Sequence, residues 1–221
     1  MTRESWGARS EYDNQNDRDM NTIINVGRQF GSGGGYVAQA VGKKLGIPVY
    51  DNELISKVAE ESGYSQSLFE KGEEPRSLFS MSSFFASGRL SFGDTGYIND
   101  DMLFKIQSEV IRGIAEKGDA IIVGRCSDYI LRDKDCLDVF VCAPMDFRIQ
   151  RLVRNEGLDA DEAEELMRRK DRTRETYYNY YTFGSWGVAS NYDLCVDSSI
   201  LGIDGTADFI IDFGRRAGLI R

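Results

Sequence analysis

Histidine is absent from this chain of 221 residues. That excludes every Ser-His-Asp arrangement and any proton shuttle through imidazole, so chemistry has to come from carboxylates, arginines, lysines, a metal or backbone amides. Cysteine is scarce: Cys126, Cys136, Cys142 and Cys195 form no Cys-x-x-Cys pair, and without histidine they complete no Cys/His zinc site. They read as reduced thiols of a cytoplasmic protein, with Cys142 and Cys195 as core filling. No apolar run approaches the length of a membrane span, and residues 1–20, rich in Asp, Asn, Arg and Ser, lack an apolar signal core and read as a flexible tail. Basic residues are the minority, 27 against 36 acidic, for a net charge of -9, which opposes general attraction to nucleic-acid backbones. A small anionic ligand therefore needs a local basic pocket.

What is present is an ordinary globular composition, 41% hydrophobic with only three prolines, and a length that suits one domain over 21–221. The β-branched run Thr22 to Val26 predicts a buried first strand, followed by glycines and by a helix from about Tyr36 that ends at Gly46. Short apolar runs at Pro48 to Tyr50, Ala120 to Val123, Leu137 to Cys142 and Tyr192 to Val196 predict the remaining strands. Helical periodicity marks Asn52 to Gly63, Asp100 to Lys117, Pro144 to Val153, Asp161 to Tyr177 and Thr206 to Arg216, whereas Lys71 to Tyr97 has no clean period and reads as a partly mobile insertion. Strands alternating with helices imply a parallel sheet, because each crossover needs a helix to return the chain.

The most informative segment runs from Gly27 to Gly35, after a predicted strand and before a predicted helix. Glycines there let successive N–H groups face one concavity, and the helix adds its positive end, so Gly31, Ser32, Gly33, Gly34, Gly35 and Tyr36 are candidates for holding a phosphate. Against the pattern GxxxxGK[ST], Arg28 takes the first position, Gly34 replaces the lysine that neutralises phosphate and Gly35 replaces the hydroxyl that binds Mg²⁺. A basic run, Arg168, Arg169, Lys170, Arg172 and Arg174, stands out in an acidic protein; it suits a polyphosphate clamp, or i to i+4 pairing with Glu164 and Glu165. Tyr177, Tyr178, Tyr180 and Tyr181 suit packing at a helix end or stacking on a base.

Several ordered segments together resemble the cytidylate kinase-like family of P-loop proteins: Gly27 to Gly35, Pro48 to Ile55, Ile122 to Leu131, Asp171 to Arg174, and Tyr177 to Thr182 leading to Trp186-Gly187 and Asn191 to Leu194. The resemblance implies an α/β parallel-sheet P-loop nucleotide-kinase fold with helices on both faces, a helical acceptor insertion over about 64–100 and an arginine-bearing lid over about 155–187. It implies ATP and Mg²⁺ as cofactors and small nucleotides as substrates, with no nucleic-acid or membrane partner. It places the acceptor phosphate on Arg125 of the Gly124-Arg125 motif, where Cys126 replaces the usual aspartate. Asp51 is then an acceptor-site carboxylate or simply the cap of the next helix. Arg28, Arg168, Arg172 and Arg174 are the catalytic candidates. The expected reaction is transfer of the γ-phosphoryl group of ATP to a CMP- or dCMP-like acceptor or a related small molecule. The alternative is a nucleotide-binding sensor or partner-binding protein that keeps the architecture without turnover. No metal ligand and no oligomeric state are assigned by the sequence.

Overall fold

The computed structural model describes residues 21–61 and 100–221. The expected tail over 1–20 and the insertion expected over about 64–100, its last residue apart, lie outside the described residues. In chain order the elements are β1 (Ile23–Arg28), α1 (Gly34–Leu45), β2 (Val49–Tyr50), α2 (Asn52–Glu61), α3 (Asp100–Lys117), β3 (Ala120–Val123), α4 (Ser127–Ile130), β4 (Leu137–Cys142), α5 (Met145–Glu156), α6 (Ala160–Thr182), β5 (Leu194–Asp197) and α7 (Ser198–Arg216).

The five strands form one sheet in the order β2-β3-β1-β4-β5, every neighbouring pair parallel. β1 lies at its centre, and Ile23 to Val26 are all buried, which is why this run is β-branched apart from Asn25 and does not alternate with exposed positions. Ile24 and Val26 face α1 and α7, packing with Val37, Val41, Val139 and Ile210. Ile23 faces the other way, with Ile55, Ile106, Val110 and Ile122 beneath α2 and α3. The core is thus two apolar layers divided by the sheet, the arrangement expected of helices on both faces.

Burial of the cysteines differs from the expectation. Cys126 and Cys136 are buried, whereas Cys142 is only half-buried and Cys195 is exposed, because β5 is an edge strand with a single neighbour. All four thiols are free. Since the strands are parallel, their carboxyl ends share one edge of the sheet, bringing Arg28, Asp51, Gly124 and Asp197 to the same side of the molecule. Ligands of open α/β sheets bind at that edge.

Candidate active site

β1 leads straight into the glycine loop. Gly31 and Gly33 have φ of 79° and 80°, conformations in which a side chain is strained, and Gly33 caps α1. Two of the loop amides are used internally: Ser32 N–H bonds to Gln29 O at 3.4 Å and Gly34 N–H to Ser32 Oγ at 3.3 Å. Among the described residues the N–H groups of Gly31, Gly33, Gly35 and Tyr36 make no hydrogen bond. At Gly35 a Cβ would meet nothing within 4 Å, so this side of the loop is open. Such a set of unpaired amides at a helix N-terminus is an anion cradle. The loop is held from behind, where the buried Ser198 hydroxyl at the start of α7 donates to Ser32 O at 2.5 Å.

Arg28 does not point into this cradle. Its stem runs beside Gly34, its Cβ lying 2.5 Å from where a Cβ of Gly34 would be, and its guanidinium covers the Cβ position of Gly124 on β3's neighbouring end. There it meets the fields of Arg174 and Arg125. Burial first, and then these two like charges, lower its pKa to about 9, with Asp51 acting in the opposite direction. Burial likewise lowers the Arg174 pKa, with Arg125 adding to the effect. Arg174 reaches in from α6, donates to Arg28 O at 3.2 Å and lies over the Phe30 ring at 5.3 Å. Three guanidinium groups from three separate segments therefore converge beside the loop. Their mutual repulsion is a standing cost that a bound dianion removes.

Arg125 is delivered by a strained turn. Gly124, Arg125 and Cys126 have φ of 79°, 59° and 56°, three left-handed residues in succession. A non-glycine residue in that region costs of order 1–3 kcal/mol and persists where the surroundings over-determine it, often at functional sites. Here the turn sets the Arg125 guanidinium 5.7 Å from the centre of the Tyr177 ring, and the Tyr177 hydroxyl donates to the buried Gln107 at 2.9 Å. Asp51 caps α2, accepting from Leu54 N–H at 3.0 Å, and lies within the field of Arg28. The capping role and a place at the site are thus compatible.

α6 starts with a capping box, Asp159 and Glu162 each accepting the other's backbone N–H, and runs to Thr182, five residues past the expected end. Tyr181 stacks on Phe104 at 4.1 Å, and Tyr178 is buried, so aromatic packing prolongs the helix. One stripe of α6 faces the core: Ala163 and Met167 are buried, Asp171 accepts from Phe30 N–H at 2.7 Å and from Arg148 at 2.6 Å, and Arg174 enters the arginine cluster. Arg168 and Arg172 lie off this stripe and are exposed, Arg168 held by Glu164 at 2.6 Å. The basic run is therefore divided by helical geometry, with Arg174 alone among the three candidate arginines facing the loop.

The Tyr178 hydroxyl donates to Asp128 at 2.6 Å, tying α6 to α4 behind Arg125. Burial raises the Asp128 pKa, against the lowering effect of the tyrosine bond. A carboxyl raised in the folded state contributes most below its unfolded value and loses that contribution as pH rises through its folded value. Asp128→Asn, which still offers an oxygen to Tyr178, is therefore expected to flatten the stability profile above the ordinary carboxyl range and to match or exceed the parent at pH 7. Urea unfolding across that range checks this; a variant about 2 kcal/mol less stable at pH 7 contradicts it.

Two arginines on α5 also belong to the site, and neither was among the sequence candidates. Arg148, buried, pairs with Asp171 and donates to Phe30 O at 3.1 Å. Arg151 lies against Gly33, its guanidinium carbon 2.7 Å from that residue's Cβ position and 5.6 Å from the Tyr36 ring centre. Tyr36, Arg151, Asn155 and Ile203 line a cavity of about 660 Å³ beside the open amides. The signal available in the sequence was the i to i+3 spacing of two arginines on the helix that directly follows β4. Among the described residues no three His, Cys, Asp or Glu side chains gather to hold a metal. Position 35 has no hydroxyl, and Ser32 Oγ already donates to Gln29 O at 2.9 Å. These residues do not make a Mg²⁺ cage; they suit only an ion that arrives on a nucleotide with phosphate and water as its ligands.

The sequence matches the cytidylate kinase-like family over residues 23–200. The cytidylate kinase of Methanopyrus kandleri is 24% identical over 191 residues, covering 81% of this chain and 86% of that one. The cytidylate kinase of Pyrococcus horikoshii is 23% identical over 183 residues, 80% of each. Among solved structures, an uncharacterized protein from Eubacterium ventriosum superimposes with a TM-score of 0.64 at 28% identity, covering 86% of this chain and 96% of that one. A shikimate kinase from Bacteroides thetaiotaomicron does so with a TM-score of 0.51 at 13% identity over 88% and 98%, a likeness of fold alone. The family match runs from the first residue of β1 into α7 and so takes in the loop, the strained turn and the arginines of α6: the chain belongs to the cytidylate kinase-like family.

Proposed function

We propose that the protein is a cytoplasmic nucleoside monophosphate kinase that moves the γ-phosphoryl group of ATP to a CMP- or dCMP-like acceptor. The observation that carries this reading is the convergence of Arg28, Arg125 and Arg174 beside a loop of open amides. The donor phosphates lie on the open amides of Gly31, Gly33, Gly35 and Tyr36 and the donor base enters the cavity lined by Tyr36 and Arg151, where a planar ring can stack on the guanidinium. Arg125 and Arg174 grip the acceptor phosphate, a task that suits the planar fork of arginine better than lysine. Asp51 stands at the acceptor side, and Arg168 and Arg172 are free of the core stripe to reach the phosphates from α6. Mg²⁺, if it arrives on ATP, would neutralise phosphate charge. The protein supplies positioning and fixed positive charge, which this reaction chiefly requires.

The acceptor assignment is supported by the naming of the related proteins as cytidylate kinases. A coupled ADP-release screen with ATP and Mg²⁺ across the nucleoside monophosphates tests it. Turnover with CMP or dCMP at least about tenfold above the others is expected, since a site built to bond a base edge rejects one that leaves its groups unpaired. Absence of the lysine at position 34 and of a hydroxyl at position 35 favours a second reading, a nucleotide sensor; tight ATP binding with no turnover on any monophosphate would establish that one.

A further inference from the structure

Position 34 is where the P-loop pattern places a lysine, and the structure gives a steric reason for the glycine found there. A Cβ on Gly34 would sit 2.5 Å from the Arg28 Cβ, close to the strand's own backbone, and 3.2 Å from the Val141 Cβ. The β-carbon of an arginine cannot swing aside as its guanidinium can. Gly124 is constrained in the same way from the far end, because the Arg28 guanidinium occupies its side-chain space. Two glycines, one on α1 and one after β3, thus form the channel through which Arg28 passes. The guanidinium emerges beside Arg125 and Arg174 and within the field of Asp51.

We infer that Arg28 is a catalytic residue that brings to the transferring phosphoryl group, from strand β1, the positive charge that a lysine at position 34 would otherwise bring from α1. The inference rests on the kinase reading. In the step, an anionic oxygen of the acceptor phosphate forms a bond to the γ-phosphorus as the bond from that phosphorus to the β–γ bridging oxygen breaks. The electron pair of the broken bond stays on the nucleoside diphosphate, and no proton has to be removed from the attacking oxygen. Negative charge is spread over the transferring group and the bridging oxygen, where fixed cations are most effective. Arg28 lies between the loop that holds the donor and Arg125 on the acceptor side, so its charge faces the group in transit. Its position also makes lysine and arginine mutually exclusive solutions within one loop.

That exclusivity gives the test. Arg28→Met keeps the stem and removes the charge; ATP affinity by calorimetry is expected to fall about tenfold and transfer by roughly a hundredfold, with the melting temperature held or raised. Gly34→Lys alone is expected to fold poorly, since the new Cβ meets Arg28. Arg28→Gly combined with Gly34→Lys clears that space and rebuilds the GxxxxGK pattern, and it is expected to recover at least about tenfold of the transfer lost in Arg28→Gly. A folded Arg28→Met protein with parental affinity and transfer overturns the inference, as does a folded double variant no better than Arg28→Gly. A parent that binds ATP but phosphorylates no monophosphate defeats the kinase reading instead. The affinity comparison still stands in that case, and parental affinity in Arg28→Met would then defeat the inference separately.

Discussion

Asp171→Ala is expected to destabilise the protein by about 3–5 kcal/mol, the cost typical of removing one partner of a buried ion pair. Asp171 uses both oxygens: one accepts Phe30 N–H at the mouth of the glycine loop, and the other takes Arg148 at 2.6 Å. The Arg148 side chain is 8% exposed, and its Nε is already buried without a partner. After truncation the guanidinium would keep only Phe30 O and a long contact to the Met145 sulfur. Arg174 would also lose the carboxylate that lies 3.8 Å away. A melting temperature lower by roughly 6–20 °C should result, and the loop should lose its order with the helix that braces it. Asp171→Asn, which keeps an acceptor for Phe30 N–H, should fall between the two. Thermal unfolding of the three proteins decides the matter: a loss below about 1 kcal/mol in Asp171→Ala would show that the pair is not what joins α6 to the loop.

The same residue shows how far the sequence could be read. Asp171 sits within a basic run, where it passes as one acid among five cations, and its role follows from helical phase that the run does not reveal. Ala163, Met167, Asp171, Arg174 and Tyr178 form one stripe, and only the packing of α6 on the loop shows which stripe faces inward. Arg168 and Arg172, equally good candidates by composition, fall outside it. The strands were legible for the opposite reason. β1, β3 and β4 are short and mostly apolar, and most of their residues are buried, so local preference and tertiary position agree. Edges blurred where they disagree: β5 begins at Leu194 rather than Tyr192, whose ring leaves the strand pattern to pack on Phe140 at 4.9 Å. α7 begins eight residues before the expected Thr206, at Ser198, with Gly202 non-helical inside it, and that glycine concealed the first turn. The single-turn α4 carries no period at all.

The arginines of the site were half legible. Arg28 and Arg125 were visible because one falls within the glycine loop and the other in the Gly124-Arg125 motif that carries part of the family resemblance. Arg148 and Arg151 were not, because arginines on an amphipathic helix read as its wet face. Their true surroundings depend on α5 crossing the back of a loop more than a hundred residues earlier in the chain. What the sequence also concealed is that Arg28, the only basic residue in the glycine loop, sends its charge out of that loop toward Gly124 and Arg125.

Gly124→Ala is expected to cost activity far out of proportion to stability. At φ of 79° an alanine pays about 1–2 kcal/mol for the left-handed backbone, a modest loss. The new methyl, however, falls on the Arg28 guanidinium. Because that group is the free end of a flexible side chain, it will move rather than disrupt the fold. Moving it takes the charge away from Arg125 and Arg174, so transfer should fall by roughly ten- to a thousandfold, as when one fixed charge-stabilising group is lost. Gly34→Ala provides the contrast, since there the obstacle is the Arg28 Cβ at 2.5 Å and the clash should register as lost stability. If Gly124 acts through Arg28, the two substitutions must be non-additive: Gly124→Ala should have little further effect on transfer once Arg28→Met is in place. A double variant that shows the product of the two single losses would mean that Gly124 serves the turn and Arg125 alone, and that its glycine has nothing to do with the arginine lying over it.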